Sequence, residues 1–411
     1  MVIDQAQLQA DFLAYVQVNT RSDPAHADRV PSTPGQTVLA RQLVAQLTKM
    51  GLDEVTLSAA SGFVTATLPA TTATPAPTIG WIAHLDTADY AAETVHPQLH
   101  PHYDGTPIPF ENGLVLDPAD FPALRQYQGQ TLITGDGTTL LGVDDKAGIA
   151  AAIAAVRTLM AHPEWPHGVI KLAFGPDEEI GAGADRFEVA DFGADWAYTL
   201  DNGDLGQIEY ETFNAAQAVV TITGTSVHPG EAYGLMVNAI SLGEQLDAAL
   251  PRFERPEFTR NRAGFYLLHD VTGSIQTATL TYIIRDFDQA QFAARKAAFL
   301  AAVAGLNQTL DRPRLQVTMT DQYYNMAPII DQDRRPLDLA ERAIEAVGLT
   351  PKYLPFRGGT DGSKLTYMGL PAPNLFNGGI NFHGPYECVS TEAMATLAET
   401  LVQVARLAVV D

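Results

Sequence analysis

The first half of this chain alternates strand patterns with helical patterns, and this alternation limits the possible folds more than any other feature of the sequence. Residues 78–83 form a short apolar run that is typical of a buried strand, and the Ala-rich residues 145–160 have helical length and spacing. Further strand patterns follow at 167–174 and 196–200. This alternation predicts an α/β fold, a doubly wound and mostly parallel sheet with helices on both faces.

The pattern changes in the middle of the chain. Residues 216–223 and 277–284 alternate like half-buried antiparallel strands, helical patterns accompany them, and the helix–strand alternation returns afterwards. A chain of 411 residues is also too long for one ordinary core. We therefore predict a larger α/β domain formed by 1–211 and 325–411, interrupted by a smaller inserted α+β domain at 212–324.

Composition and charge restrict the partners. The hydrophobic fraction of 46% suits a globular protein, and the formal net charge of −23 disfavours nucleic acid and anionic membrane surfaces as partners. Cys388 is the only cysteine, no basic-then-apolar leader begins the sequence, and no apolar run approaches the roughly 18 residues of a membrane span. We expect a cytoplasmic protein with no membrane partner.

Acid and histidine motifs follow several of the predicted strands at the points where the strands end. His84 and Asp86 come directly after the first buried strand, and Asp201 closes a later one. The other members of this set are Glu178 and Glu179 after a third strand, His383 after a strand at 373–376, and Asp144 and Asp145 before the Ala-rich helix. Sites in open α/β sheets form at the carboxyl ends of strands, so we expect these side chains to converge.

The residue types of this set point to a metal site. Two histidines with several carboxylates and no cysteine suit Zn²⁺ or a similar first-row divalent ion. His84 and Asp86 alternate on an extended segment and share a face, so one can bind metal while the other orients a neighbour. Glu178 and Glu179 are adjacent and point differently, which leaves one free to accept a proton. Each motif alone also has an ordinary structural explanation, such as a helix cap at Asp144.

Further motifs are spread along nearly the whole chain: VPST at 30–33, GQTLIT at 129–134, DEE at 177–179, IIRDFD at 283–288 and RGGTDG at 357–362. Together with the set above, their order resembles the co-catalytic dizinc exopeptidase family, which includes carboxypeptidase G, aminoacylase and the tripeptide aminopeptidase peptidase T. The resemblance to the peptidase T members is close.

The resemblance implies two zinc ions that share one carboxylate. The ligands that it implies are His84, Asp144 and Asp201 for one ion, and Asp144, Glu179 and His383 for the other. It also implies that Asp86 orients His84 and that Glu178 is the general base. Spacing alone leaves open whether Asp144 or Asp145 bridges the ions, but the family's Asp-x-Lys pattern favours Asp144. The family makes the peptide bond between these two residues cis.

The resemblance also implies substrate contacts. His228 is the candidate donor to the developing negative charge, and Arg285 and Arg357 are candidates for binding a peptide carboxylate, which a guanidinium can hold through two hydrogen bonds. Asp at position 201, rather than Glu, is typical of the family's aminopeptidases. Asn202 departs from the Asp-Gly-Gly sequence usual in these relatives, so we expect the backbone beside the ligand to differ slightly.

These patterns lead to one prediction of function and two alternatives. We predict a zinc aminopeptidase that hydrolyses tripeptides, with a homodimer formed through the inserted lid domain. One alternative is a dizinc dipeptidase or N-acyl amino acid deacylase on the same scaffold. The other is a catalytically inactive binding protein, which retention of Glu178 disfavours because a pure binder has no use for a base.

Overall fold

The computed structural model describes residues 2–409, which contain ten α-helices and eighteen strands. The helices are α1 Gln5–Val16, α2 Pro34–Met50, α3 Val143–Ala161, α4 Val189–Phe192, α5 Ala239–Ala249, α6 Gln289–Gln308, α7 Ala327–Ile330, α8 Arg335–Ala346, α9 Asp361–Tyr367 and α10 Thr391–Leu407. The strands are β1 Asp53–Leu57, β2 Val64–Leu68, β3 Ile79–His84, β4 Gln98–His100, β5 Ile108–Pro109, β6 Val115–Leu116, β7 Leu132–Thr134, β8 Ile170–Gly175, β9 Trp196–Asn202, β10 Gln207–Glu209, β11 Asn214–Thr223, β12 Phe265–Gly273, β13 Thr277–Asp286, β14 Leu315–Tyr323, β15 Lys352–Tyr353, β16 Asn374–Phe376, β17 Gly379–Ile380 and β18 Cys388–Ser390.

By their internal contacts, the described residues form two compact units. Unit 1 comprises residues 2–210, 328–354 and 360–409, and unit 2 comprises residues 211–327 and 355–359. Unit 2 thus takes in a short segment, 355–359, that lies outside the predicted insertion at 212–324. Residues 1, 410 and 411, which belong to the predicted larger domain, lie outside the described residues.

Unit 1 is built around an eight-stranded sheet in the order β1-β2-β8-β3-β9-β16-β10-β15. Its centre is parallel, since β3 pairs in parallel with β8 and β9, and β9 pairs in parallel with β16. All six residues of β3 are buried, as expected for a strand covered on both faces. The predicted doubly wound α/β fold is confirmed.

Helices cover both faces of this sheet. The Ala-rich helix α3 packs on β3 and β9, with α1 and α10 against it. On the other face, Phe192 of α4 and Leu365 of α9 join an apolar cluster with Ile82 and Ala197 from the sheet. Because β3, β8 and β9 run in the same direction, their carboxyl ends meet at one edge, where His84 ends β3 and Asp201 lies near the end of β9.

Unit 2 contains an antiparallel sheet in the order β12-β13-β11-β14, with α5 and α6 packed on it. Its core includes Val220, Leu280 and Phe299. The alternating burial along β13 follows from having helices on one face only. The segment 355–359 joins this unit through a bridge between Thr212 and Phe356.

The sequence patterns located most elements but not their ends. Strand β12 was not predicted, because an irregularity between Leu268 and Asp270 interrupts its alternation. The predicted strand at 167–174 begins only at Ile170, because the backbone N–H and carbonyl of His167 bond to Thr71 in a loop rather than to a neighbouring strand. Among residues 2–409, none of the helices combines the length and apolar character that a membrane crossing requires.

Candidate metal centre

His84 is placed by the sheet and oriented by Asp86. The ring Nδ1 lies 3.0 Å from the backbone oxygen of Asp86 and 3.5 Å from its Oδ1. The two Asp86 carboxylate oxygens also accept the backbone N–H groups of Glu178 and Glu179, at 3.0 and 3.1 Å. Asp86 therefore ties the end of β3 to the loop after β8, and the His84 Nε2 is left facing the rest of the set.

Asp144 lies between the two histidines. Its Oδ1 is 2.8 Å from the Nε2 of His84, and its Oδ2 is 3.1 Å from the Nε2 of His383. Asp144 and Asp145 have non-helical backbone angles within the first turn of α3, and the peptide bond between them is cis, as the resemblance implied. One carboxylate thus offers one oxygen to each histidine.

The remaining acidic residues gather around this pair. The Oδ1 of Asp201 is 3.7 Å from the Nε2 of His84, and the Oε1 of Glu179 is 3.1 Å from the Nε2 of His383. Within the described residues, two ligand sets have all their atoms within 4.8 Å of one another; they are His84, Asp144 and Glu179, and His84, Asp145 and Asp201.

Asp145 differs from Asp144 in how its carboxylate is used. The Oδ1 of Asp145 accepts the Gly148 N–H at 3.2 Å and the Asn377 amide at 3.3 Å, whereas Asp144 faces both histidines. The sequence left open which aspartate bridges. Asp144 is the aspartate that faces both histidines, whereas Asp145 is the one that groups with His84 and Asp201. The assignment of Asp144 as the bridge stays a prediction.

Several carboxyl groups are buried close together at this edge of the sheet. Burial and neighbouring carboxylates raise the pKa values of Glu178, Asp201 and Asp145 well above their usual range. Burial alone would lower the pKa of His84, but hydrogen bonds to Asp144 and other carboxylates raise it well above its ordinary value. A bound divalent cation would stabilise the ionised carboxylates that burial disfavours, and the imidazole and carboxylate donors fit a cation of the zinc type.

Glu178 projects into the same region without belonging to either ligand set. Its Oε1 accepts the backbone N–H of Asp361 at 3.3 Å. The Asp361 carboxylate is held in turn by the backbone N–H of Ala184 at 3.0 Å, and burial raises the pKa of Asp361 to about 6. A carboxylate that lies beside the candidate ligands, accepts a backbone N–H and has a raised pKa suits a group that accepts and donates protons.

Three predicted site residues lie in unit 2. His228 is exposed, and its Nδ1 accepts the N–H of Gly230 at 3.1 Å. In Arg285, Nη1 donates to the carbonyl oxygens of Ala216 and Ile284 at 3.1 and 3.0 Å, and Nη2 donates to the Gln322 side chain at 3.0 Å.

The third of these residues, Arg357, is also held by its own unit. Its Nη1 donates to the carbonyl oxygens of Asn261 and Ala263 at 2.8 and 2.9 Å, and its Nη2 donates to the Thr259 hydroxyl at 2.8 Å. The guanidinium carbon lies 5.2 Å from the centre of the Phe213 ring. Arg357 therefore stabilises the loop at 259–263 within unit 2.

Residues 129–407 match the family described as Peptidase family M20/M25/M40. Curated relatives match almost from end to end. Peptidase T of Geobacillus kaustophilus (strain HTA426) is 50% identical over 399 residues, covering 96% of this chain and 97% of the relative. The chain belongs to peptidase family M20/M25/M40. The family resemblance predicted from the sequence is confirmed.

Other members of the family agree with this placement. Peptidase T of Streptococcus pneumoniae serotype 2 (strain D39 / NCTC 7466) is 48% identical over 397 residues, which cover 96% of this chain and 97% of the relative. Two solved structures cover 100% of both chains: aminopeptidase PepT from Bacillus cereus ATCC 10987, with a TM-score of 0.78 and 24% identity, and a tripeptidase from Staphylococcus aureus, with 0.79 and 19%. At these identities the solved structures show the shared fold.

One structural group was missed by the sequence analysis. The Asp177 carboxylate, next to Glu178, accepts the Ser32 N–H at 2.8 Å and the Gln36 amide at 2.7 Å, and Gln36 Oε1 accepts the Asp177 N–H at 3.0 Å. All three of these anchoring residues are buried. The VPST motif at 30–33 includes Ser32 and indicated that this region resembles the family. It did not indicate that Gln36, three residues later, holds the loop that contains Glu178.

Proposed function

We propose that this chain is a metal-dependent aminopeptidase that uses two divalent ions, with zinc expected, to remove the N-terminal residue of tripeptides. The observation that carries the proposal is the Asp144 carboxylate, with one oxygen 2.8 Å from His84 and the other 3.1 Å from His383. A carboxylate that offers an oxygen to each of two histidines suits a pair of neighbouring cations.

The relatives support the substrate class. Those at 48–50% identity over 96% of the chain carry the name Peptidase T. A Bacillus subtilis protein of similar fold, with a TM-score of 0.65 and 14% identity, is described as a dinuclear metal binding peptidase from the M20 family. We propose His84, Asp144 and Asp201 as ligands of one ion, and Asp144, Glu179 and His383 as ligands of the other.

The residues of the chain would share the chemistry as follows. Bound zinc ions would polarise the scissile carbonyl and make water acidic enough to lose a proton near neutral pH. Glu178 would accept that proton and donate it to the leaving amine, while Asp86 keeps His84 and the Glu178 backbone in place. The backbone N–H of Asp361 also donates to the Glu178 carboxylate.

The proposal extends to the substrate and the assembly. His228 would stabilise the developing negative charge, and Arg285 and Arg357 would bind the peptide carboxylate, with Arg357 exchanging at least one of its present bonds to do so. We also propose a cytoplasmic homodimer formed through residues 212–324. Light scattering after size-exclusion chromatography tests the dimer, and a monomer at micromolar concentration would contradict it.

The central test is metal-dependent product formation. The purified chain, freed of metal with a chelator and titrated with Zn²⁺, should release alanine from trialanine and leave N-acetyl-trialanine intact. Glu178→Gln should lower kcat by about 10²–10⁴-fold with KM and Zn²⁺ content nearly unchanged, because the base acts in proton transfer rather than binding. Glu188→Gln, an exposed carboxylate of the same unit, is the matched control.

Each alternative gives a different outcome. Equal hydrolysis of the acetylated peptide would indicate a deacylase, and preference for dialanine would indicate a dipeptidase. If the chain binds Zn²⁺ but cleaves none of these substrates, a binding protein is the better description. Unchanged kcat in Glu178→Gln would contradict the role of that residue while leaving the peptidase activity in place.

A further inference from the structure

Glu387 is a buried carboxylate in the segment that follows His383. Its Oε2 accepts the backbone N–H groups of Leu141 and Gly142, at 2.8 and 2.6 Å, and its Oε1 accepts the N–H of Asp144 at 3.1 Å. The side chain is 1% exposed. Three backbone donors from one turn therefore converge on a single side chain that is more than 240 positions away in the sequence.

The turn needs such an acceptor because of where it lies. The first N–H groups of a helix have no partner inside the helix, and this turn leads directly into α3. Gly142 has a φ of 88°, a left-handed conformation that glycine adopts readily and that lets its N–H point with its neighbours. A buried carboxylate satisfies all three donors through charge-assisted hydrogen bonds.

Glu387 is itself held firmly. It directly precedes β18, which pairs with β7 on one side and β17 on the other. His383 lies four residues earlier in the same segment, and Asn381 donates to the backbone oxygen of Tyr386 at 3.2 Å. The segment that contains His383 therefore also contains Glu387, which bonds the backbone of Asp144, and the Asp144 carboxylate lies between the two histidines.

We infer that Glu387 is a positioning residue that holds the Asp144 backbone so that its carboxylate faces His84 and His383 together. The inference rests on the proposed function, since it assumes that Asp144 binds metal. Glu387 itself touches no metal ligand atom; it accepts the Asp144 N–H, while the Asp144 carboxylate oxygens face the histidines.

The test measures the Zn²⁺ affinity of the metal-free full chain by competition with a chromophoric chelator. Glu387→Gln keeps the side-chain volume but only one acceptor oxygen, so at least one of the three N–H groups loses its partner. We expect a 10–100-fold weaker Zn²⁺ affinity. With trialanine, kcat should fall while KM stays within about twofold, and excess Zn²⁺ should restore part of the activity.

Glu392→Gln is the matched control. The Oε2 of Glu392 accepts a single backbone N–H, from Thr131, at 2.9 Å, and Glu392 contacts none of the candidate ligands in that bond. Gln at this position keeps an acceptor oxygen for that N–H, so the melting temperature should fall by less than in Glu387→Gln, and the Zn²⁺ affinity should match the wild type. A purely structural role for Glu387 would lower the melting temperature of Glu387→Gln and leave its Zn²⁺ affinity at the wild-type value.

The outcomes separate this inference from the function on which it rests. If the wild type binds Zn²⁺ and cleaves trialanine but Glu387→Gln binds Zn²⁺ equally well, the inference is wrong and the function stands. If the wild type does neither, the proposed function itself fails. If circular dichroism shows that Glu387→Gln does not fold, Glu387→Asp is used instead. This variant keeps both carboxylate oxygens on a shorter side chain, and it should also bind Zn²⁺ more weakly than the wild type. Loss of folding in both variants would indicate a folding role and overturn the inference.

Discussion

The candidate metal centre has two parts that are built differently. The strand-end part, formed by His84, Asp86 and Asp201, lies at the carboxyl ends of β3 and β9, and the His84 side chain is only 3% exposed. The loop part, formed by Glu179 and His383, lies outside regular strands. The His383 side chain is 53% exposed, and its backbone has a left-handed φ of 63°.

The strand-end part is held rigidly by the sheet, whereas the loop part gives access from solvent. The sheet fixes the strand-end part, because buried parallel strands leave little freedom at their ends and Asp86 bonds both His84 and the neighbouring loop. In the loop part the Glu179 side chain is only 9% exposed, but the His383 side chain faces solvent, so a substrate can approach from the His383 side. A centre built in this way keeps one position constant while the other remains open to water and peptide.

The largest expected effect comes from the residue shared by both parts. Asp144→Ala removes both carboxylate oxygens, one of which faces each histidine, so Zn²⁺ binding should weaken at both positions. Because metal ions supply several kcal/mol of transition-state stabilisation and each 1.4 kcal/mol is tenfold, we expect kcat/KM for trialanine to fall roughly 10³-fold. Loss of Zn²⁺ from one position only, as measured by metal analysis, would show that the parts do not share Asp144.

The second prediction contrasts the two histidines in the metal-free protein. His84→Gln leaves buried carboxylates without their partner, so the free energy of unfolding in urea should fall by about 3 kcal/mol. His383→Gln breaks contacts at a half-exposed side chain and should cost less than about 1 kcal/mol. Similar losses in both variants would remove the distinction between a rigid part and an open part.

The smallest expected effect concerns Glu209, a buried residue of β10 that is linked through Asn374 to β9, the strand that carries Asp201. Its Oε1 accepts the Gln207 amide at 2.8 Å, its Oε2 accepts the Asn374 amide at 3.4 Å, and Asn374 also hydrogen-bonds the hydroxyl of Thr199 in β9. Burial raises the pKa of Glu209 to about 8.

The sign of the pH dependence follows from this raised pKa. Between about pH 4.5 and 8 the folded chain keeps the Glu209 proton while the unfolded chain loses it, so the free energy of unfolding falls as the pH rises through this range. Glu209→Gln removes this contribution, so between pH 5 and pH 8 its free energy of unfolding should fall by roughly 1 kcal/mol less per pH unit than that of the wild type. Parallel unfolding curves for the two proteins across this range would show that Glu209 is ionised in the folded state.

The sequence predicted the strand-end part of the centre well. His84, Asp86 and Asp201 follow apolar runs whose parallel arrangement forces their ends together, so a local pattern and one topological rule sufficed. The family resemblance then supplied His383, whose loop has no strand pattern of its own. The roles of these residues stay predictions that the variants above test.

Other parts could not be predicted because they depend on distant contacts. Gln36 looks like an ordinary helix residue, yet it bonds Asp177 across 141 positions, and Glu387 meets the turn at Asp144 from 243 positions away. Neither residue is distinguished by type or spacing. Arg357 illustrates a different limit of sequence analysis. The family resemblance made it a candidate substrate contact, but nothing in the sequence indicated its hydrogen bonds to the loop at 259–263.

The return of residues 355–359 to unit 2 has a consequence for protein engineering. The chain passes between the units four times rather than twice, so excising residues 211–327 and splicing the ends would not yield a clean single-unit protein. Phe356 would lose its bridge to Thr212, and Arg357 would be left beside neither Phe213 nor Phe265. A minimal version of unit 1 therefore needs a second deletion or a redesigned linker at this short segment.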